Sequence, residues 1–176
     1  MKKTLIVIIL ICISIITKSQ TTTYYLCPAL QAFNGEWRYV NGQDTIRIYL
    51  RYHEFTSNNP TPNTRGSLFG WHEYKRGNTV IESDYTNRFM TLATDFYNIG
   101  LNSYSILLSS NAACDTSTHR LRGQIKDLLQ TRESKPVTIQ FNAAKTEIQW
   151  HQRQGYGIFS PASPMTLPPD FVLIKQ

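Results

Sequence analysis

Beyond the first 40 residues, apolar and polar positions alternate with a period of two along much of the chain. Residues 45–53 show it most cleanly. Ile46, Ile48, Leu50 and Tyr52 fall on one face and Arg47, Tyr49, Arg51 and His53 on the other, the mark of a strand with one dry and one wet side. Residues 120–126 repeat the pattern, with Leu121, Gly123 and Ile125 opposed by Arg120, Arg122, Gln124 and Lys126. Val137, Ile139 and Phe141 follow it, as do Ile148 and Trp150 set between Glu147, Gln149 and His151.

Less regular stretches predict further strands over 35–41, 68–76, 79–83, 89–97, 104–109 and 170–175. Asn41-Gly42 and Gly77-Asn78 supply the left-handed backbone that a tight hairpin requires. Asn142 to Lys145 is a polar connection of hairpin length. Only two stretches suit a helix: residues 28–33 would form a short turn before the first strand, and residues 125–132 fit either a helix end or a strand end. Long connections are expected over 56–67, 109–117 and 154–169. Strands joined by such turns predict an antiparallel up-and-down meander, not βαβ units.

The opening of the chain follows another pattern. Lys2 and Lys3 precede an apolar run from Leu5 to Ile16, and Thr17-Lys18-Ser19-Gln20 ends it. A charged start, an apolar centre and a small-residue exit predict a secretory signal over residues 1–19. A retained anchor would need about 20 apolar residues to cross a bilayer, and this run has only about 12. The expected product is an exported protein, in the periplasm, the outer envelope or outside the cell. It touches a membrane only through the signal before cleavage. Residues 20–176 then form a single domain, of a length that suits one core.

Removing Lys2, Lys3 and Lys18 from the 18 basic residues leaves 15 against 12 acidic ones. A net charge of +3 without a basic run argues against nucleic acid as a partner. Cys27 and Cys114 both lie in the exported part, where a pair is more often bridged than free. A Cys27–Cys114 disulfide is therefore expected.

No catalytic or metal-ligating constellation emerges. His53, His72, His119 and His151 show no metal spacing, and neither Cys27 nor Cys114 has a second ligand nearby. His53 and His151 fall on the polar faces of their strands and read as solvated. There is no nucleophile elbow and no glycine-rich phosphate loop, and no cofactor is expected. A hydrolase would need paired carboxylates in a cleft. Glu82 and Asp84 share a strand face, but so does any i,i+2 pair, and they read as solvated charge at a strand end. The one excess is aromatic, with ten Tyr, eight Phe and three Trp. Such rings suit a ligand cavity or an interface, and equally the half-buried face of a sheet.

Gly35-Glu36-Trp37, after a short turn-like segment, resembles the G-x-W signature of lipocalin-type barrels. That resemblance implies a Trp37 that plugs the closed barrel end, with a basic side chain from a late strand packed over it; Arg153 is one candidate. Most of the exported part, from the signal exit through residues 142–150 to the terminal Leu167-Pro168-Pro169-Asp170-Phe171-Val172-Leu173-Ile174-Lys175-Gln176, resembles a family of small exported bacterial proteins without assigned function. It implies a shared fold and no activity. The overall expectation is an all-β protein: a lipocalin-like barrel of roughly eight to ten strands with a short N-terminal helical turn. A barrel of that size either fills with side chains or holds one small ligand. It would bind a small hydrophobic molecule without catalysis, or, if filled, act as an envelope or protein-interaction module.

Overall fold

The computed structural model describes residues 23–57, 63–100, 103–109, 120–129, 134–153 and 166–176. The expected signal over 1–19, Cys114, and most of the connections at 109–117 and 154–169 lie outside them. Among the described residues ten strands run in chain order: β1 (Thr23–Tyr25), β2 (Gly35–Asn41), β3 (Asp44–Ser57), β4 (Asn63–Arg76), β5 (Thr79–Ser83), β6 (Ile106–Ser109), β7 (Arg120–Lys126), β8 (Ser134–Phe141), β9 (Glu147–Gln152) and β10 (Asp170–Lys175). Around the sheet the order is β4-β3-β2-β10-β9-β8-β7-β6, and β6 pairs back with β4. Eight strands thus close into an antiparallel up-and-down barrel. Two short strands add to the free margin of β4: β1, in parallel, along Asn63–Arg65, and β5 along Glu73–Arg76.

The two hairpins predicted at glycines form. Gly42 and Gly77 take positive φ, 58° and 57°, which a side chain would resist. Inward positions follow the period-two reading: Trp37 on β2, Ile46, Ile48 and Leu50 on β3, Leu121 and Ile125 on β7, Ile139 and Phe141 on β8, Ile148 and Trp150 on β9, and Leu173 on β10 are all buried in one core. Gly123 belongs to the inward row of β7, where the neighbouring backbone crowds it. A Cβ there would lie 1.9 Å from the Leu107 carbonyl oxygen. Because backbone cannot step aside as a side chain can, Gly123→Ala should cost about 3 kcal/mol, the upper part of the overpacking range. Urea unfolding of the variant checks this.

One barrel end is stoppered by the predicted turn, a 3-10 helix over Pro28–Phe33. Leu30 and Phe33 enter the core, and Phe33 stacks on Phe141 with centroids 3.8 Å apart. The Trp37 indole N–H donates to the Phe33 carbonyl at 2.9 Å. The basic side chain over Trp37 is not Arg153. Lys175 from β10 places its Nζ 5.3 Å from the ring centroid, because Trp37 and Lys175 are register partners across the β10–β2 seam.

Three predicted features differ. Residues 89–97 are not a strand: a 3-10 turn (Tyr85–Phe89) and another (Phe96–Asn98) bracket an irregular strap. The free margin of β4 is already filled by β1, β6 and β5, so the strap lies across the outer face of β3 and β4 instead. There it covers a second apolar cluster of Phe55, Phe69, Trp71, Leu92, Ile99 and Tyr104. The connection over 56–67 is shorter than expected, since β3 runs to Ser57 and β4 starts at Asn63. The undecided stretch over 125–132 ends β7 at Lys126 and turns, with Asp127 accepting from the Leu129 amide.

Candidate functional site: a buried histidine–carboxylate network and a filled interior

At the barrel end opposite the 3-10 stopper, polar groups gather where the margin of β4 passes from β6 to β5. β4 pairs with β6 up to Gly70 and with β5 from Glu73 onward. His72 sits between. Its even-numbered position aims it inward with Leu68 and Tyr74, and it is fully buried. Its Nδ1 lies 2.8 Å from Ser105 Oγ at the mouth of β6, and its Nε2 lies 3.3 Å from Glu82 Oε1 on β5. Asp84 Oδ1 accepts from the His72 amide at 2.8 Å, and the Asp84 amide donates back to the His72 carbonyl. Burial pushes the Asp84 carboxyl up from its ordinary value, against the opposing pull of His72.

Two buried carboxylates at this end also accept from backbone amides. Glu82 Oε2 accepts from the Leu128 amide at 3.0 Å. Asp127, also buried, takes the Leu129 amide on Oδ1 and the Thr166 amide on Oδ2. These carboxylates therefore fasten β5, the turn after β7 and the segment leading into β10 to one another. His72 Nε2 and Glu82 Oε1 face each other in a fully buried contact, and neither atom has another hydrogen-bond partner among the described residues.

Ser105, His72 and Glu82 are in the order of nucleophile, base and acid. Catalysis needs a reacting atom within about 3 Å of the nucleophile, and all three side chains are sealed from solvent. Among the described residues, no group of three or more His, Cys, Asp or Glu is placed to take a metal ion.

Glu82 and Asp84, read from sequence as solvated, are thus buried and half-buried, and each accepts from a backbone amide. His53 is not free in solvent either. Its Nε2 meets the Ala93 carbonyl at 2.8 Å, and its ring stands edge-on to Phe69 beneath the strap. His151 pairs with Asp170 across β9 and β10 at an exposed position. His119 lies outside the described residues. Cys27 is buried and disulfide-bonded.

The aromatic excess divides between inside and outside. Trp37 and Trp150 serve the barrel core, and Trp71 serves the cluster under the strap. On the strap itself, Tyr85 lies against two guanidiniums, those of Arg47 and Arg88, each 4.3 Å from its centroid. Burial above all, and then the Glu36 carboxylate, pushes the Tyr85 phenol up to about 12. Burial beside Glu54 does the same for Tyr52, again to about 12. A phenol whose pKa rises on folding contributes stability in full below its unfolded value of about 10, and that contribution fades as pH climbs toward 12. Raising pH through this window should lower the melting temperature. The check is a series of melts beside ultraviolet titration of phenolate; a melting temperature level up to pH 12 would contradict it.

The barrel interior is the other candidate site. A ligand cavity large enough for water would leave its lining side chains with accessible surface, even if sealed from outside. Ile46, Ile48, Leu68, Ile106, Leu108, Ile125, Ile139, Ile148 and Leu173 have none, and they come from seven of the eight barrel strands. The interior among the described residues is occupied by side chains.

An eight-stranded up-and-down barrel with a stoppered end and a packed interior is the class of protein that these features define. The chain belongs to the Family of unknown function (DUF6705), which matches residues 1–176. Comparison with curated proteins and with solved structures gave no match.

Proposed function

We infer that this chain is an exported, non-catalytic β-barrel protein that works through its outer surface, as an envelope or interaction module. The packed interior carries the reading. A carrier of a small hydrophobic molecule would need a lined void, and the zero accessibility of the inward side chains on opposite walls favours a filled barrel. The absence of catalysis rests on the sealed Ser105–His72–Glu82 cluster, whose one carboxylate accepts from a backbone amide. Export rests on the leader pattern of residues 1–19 and on the disulfide at Cys27, a bond that persists in oxidising compartments. Its partner in this reading is Cys114. The intact mass of the protein recovered from the envelope should therefore correspond to a chain starting at Gln20 and lacking two hydrogens; a full-length, fully reduced mass would contradict both.

A lipophilic fluorophore tests the filled interior. Titrating 1-anilinonaphthalene-8-sulfonate into the folded protein should give no saturable one-to-one binding that a fatty acid displaces. Such binding would restore the carrier reading.

A further inference from the structure

We propose that a second copy of this chain docks on the outer face of β9, β10 and β2, around a twofold axis that runs along β10. The inference rests on the outer-surface reading above and supplies the partner for that surface. On β10, Phe171 and Leu173 point inward, leaving Val172 and Ile174 outside, 44% and 54% exposed. Val40 on β2 shares this face and is 56% exposed. Three β-branched side chains thus form an apolar stripe on a face that no described element covers.

The charges beside the stripe identify what fits it. Ile174 pairs with Glu147 on one side and with Arg38 on the other, so one row across the face reads anion, Ile174, cation. A twofold along β10 exchanges the flanking strands, laying Arg38 of each copy against Glu147 of the other. On the axis, Ile174 meets Ile174 and Val172 meets Val172. This is the self-complementarity that an isologous interface requires.

Arg38 and Glu147 are also the charges with capacity to spare. Around the barrel from β2, Arg47 is held by Glu36 at 2.9 Å and by Glu73 at 3.4 Å, and Lys75 by Glu73 at 3.1 Å. Among the described residues, neither Arg38 nor Glu147 has an ion-pair partner. Arg38 moreover lies directly opposite Arg47 across the β2–β3 ladder, a like-charge pairing that is unfavourable until a carboxylate arrives. Asp170 would approach its own counterpart farther along the axis, but each is already paired with His151.

The contact is small, below about 1,200 Å² in total, which places the dimer in the weak class. Sedimentation equilibrium of the processed chain should show a reversible monomer–dimer equilibrium, with a Kd on the order of tens of micromolar. Arg38→Glu and Glu147→Arg each set like charges against each other at both ends of the row, and each should weaken association more than about tenfold. The combined variant R38E/E147R should restore it. Circular dichroism melts confirm that each variant is folded, and both positions are on the outside, so neither disturbs the core. A monomer at every concentration overturns the proposal and leaves the stripe to a different protein, while the filled-barrel reading, tested by the fluorophore, stands. Association that survives both single substitutions, or that the combined variant fails to restore, overturns it too.

Discussion

Deleting residues 170–176 should abolish the cooperative fold. β10 is the strand that closes the ring. It pairs with β9 from Asp170 to Ile174 and with β2 at Ile174 and Lys175, and the Gln176 amide donates to the Glu36 carbonyl just beyond. Phe171 stacks on Trp150 with centroids 5.4 Å apart and also meets Tyr39. Leu173 is fully buried. Loss of two large core side chains costs about 2–5 kcal/mol each. Loss of the strand also leaves two unpaired margins, on β2 and β9, open to intermolecular pairing. A domain of this size holds only about 5–15 kcal/mol in reserve, so these losses, together with the two unpaired margins, consume most or all of it. Near-ultraviolet circular dichroism and a thermal melt of the truncated protein would show a lost tertiary signal and no sharp transition. A melt superimposable on the parent would mean that β10 is an accessory strand.

The second large effect is expected at Glu82. Replacing it by Leu removes both things that this carboxylate does: it leaves His72 Nε2 without the carboxylate it faces, and the Leu128 amide without its acceptor. Breaking a buried pair from one side typically costs about 3–5 kcal/mol. His72→Leu should cost a similar amount, since it leaves the Glu82 carboxylate buried without the imidazole it faces. The double variant should cost clearly less than the two singles together, because neither partner is then stranded. Urea unfolding of the four proteins reads this cycle directly. Strict additivity, or a loss below about 1 kcal/mol for each single change, would show that the network is not what fastens this barrel end.

Legibility in the sequence followed solvent contact. β7, β8 and β9 have one face in water along much of their length, and the half-covered outer face of β3 still carries Arg47, Arg51 and His53, so these strands reported the period of two. β4 is different. Phe69 and Trp71 face the strap while Leu68, His72 and Tyr74 face the barrel, and a strand buried on both sides carries no alternation. The side to which His72 points was hidden for that reason, and with it the network. Its partners are 10, 12 and 33 residues away in sequence, brought together by the passage of β4 from β6 to β5. Glu82 and Asp84 looked like any charged pair near a turn, because the amides they cap belong to distant segments. The apolar residues of 89–97 read as a strand because they do face a dry surface, but no free strand margin was left for them to join. Trp37 was legible through Gly35-Glu36-Trp37; its cation, Lys175, depended on the register of the closing seam.

Side chains fill this barrel, and its outward-facing role follows from that. Native mass spectrometry of the protein purified from its own host's envelope, beside the denatured mass, tests it most directly. A filled barrel should show a native mass equal to the bare processed chain or to two such chains. A discrete excess per chain that disappears on denaturation would reveal a small molecule inside and contradict it.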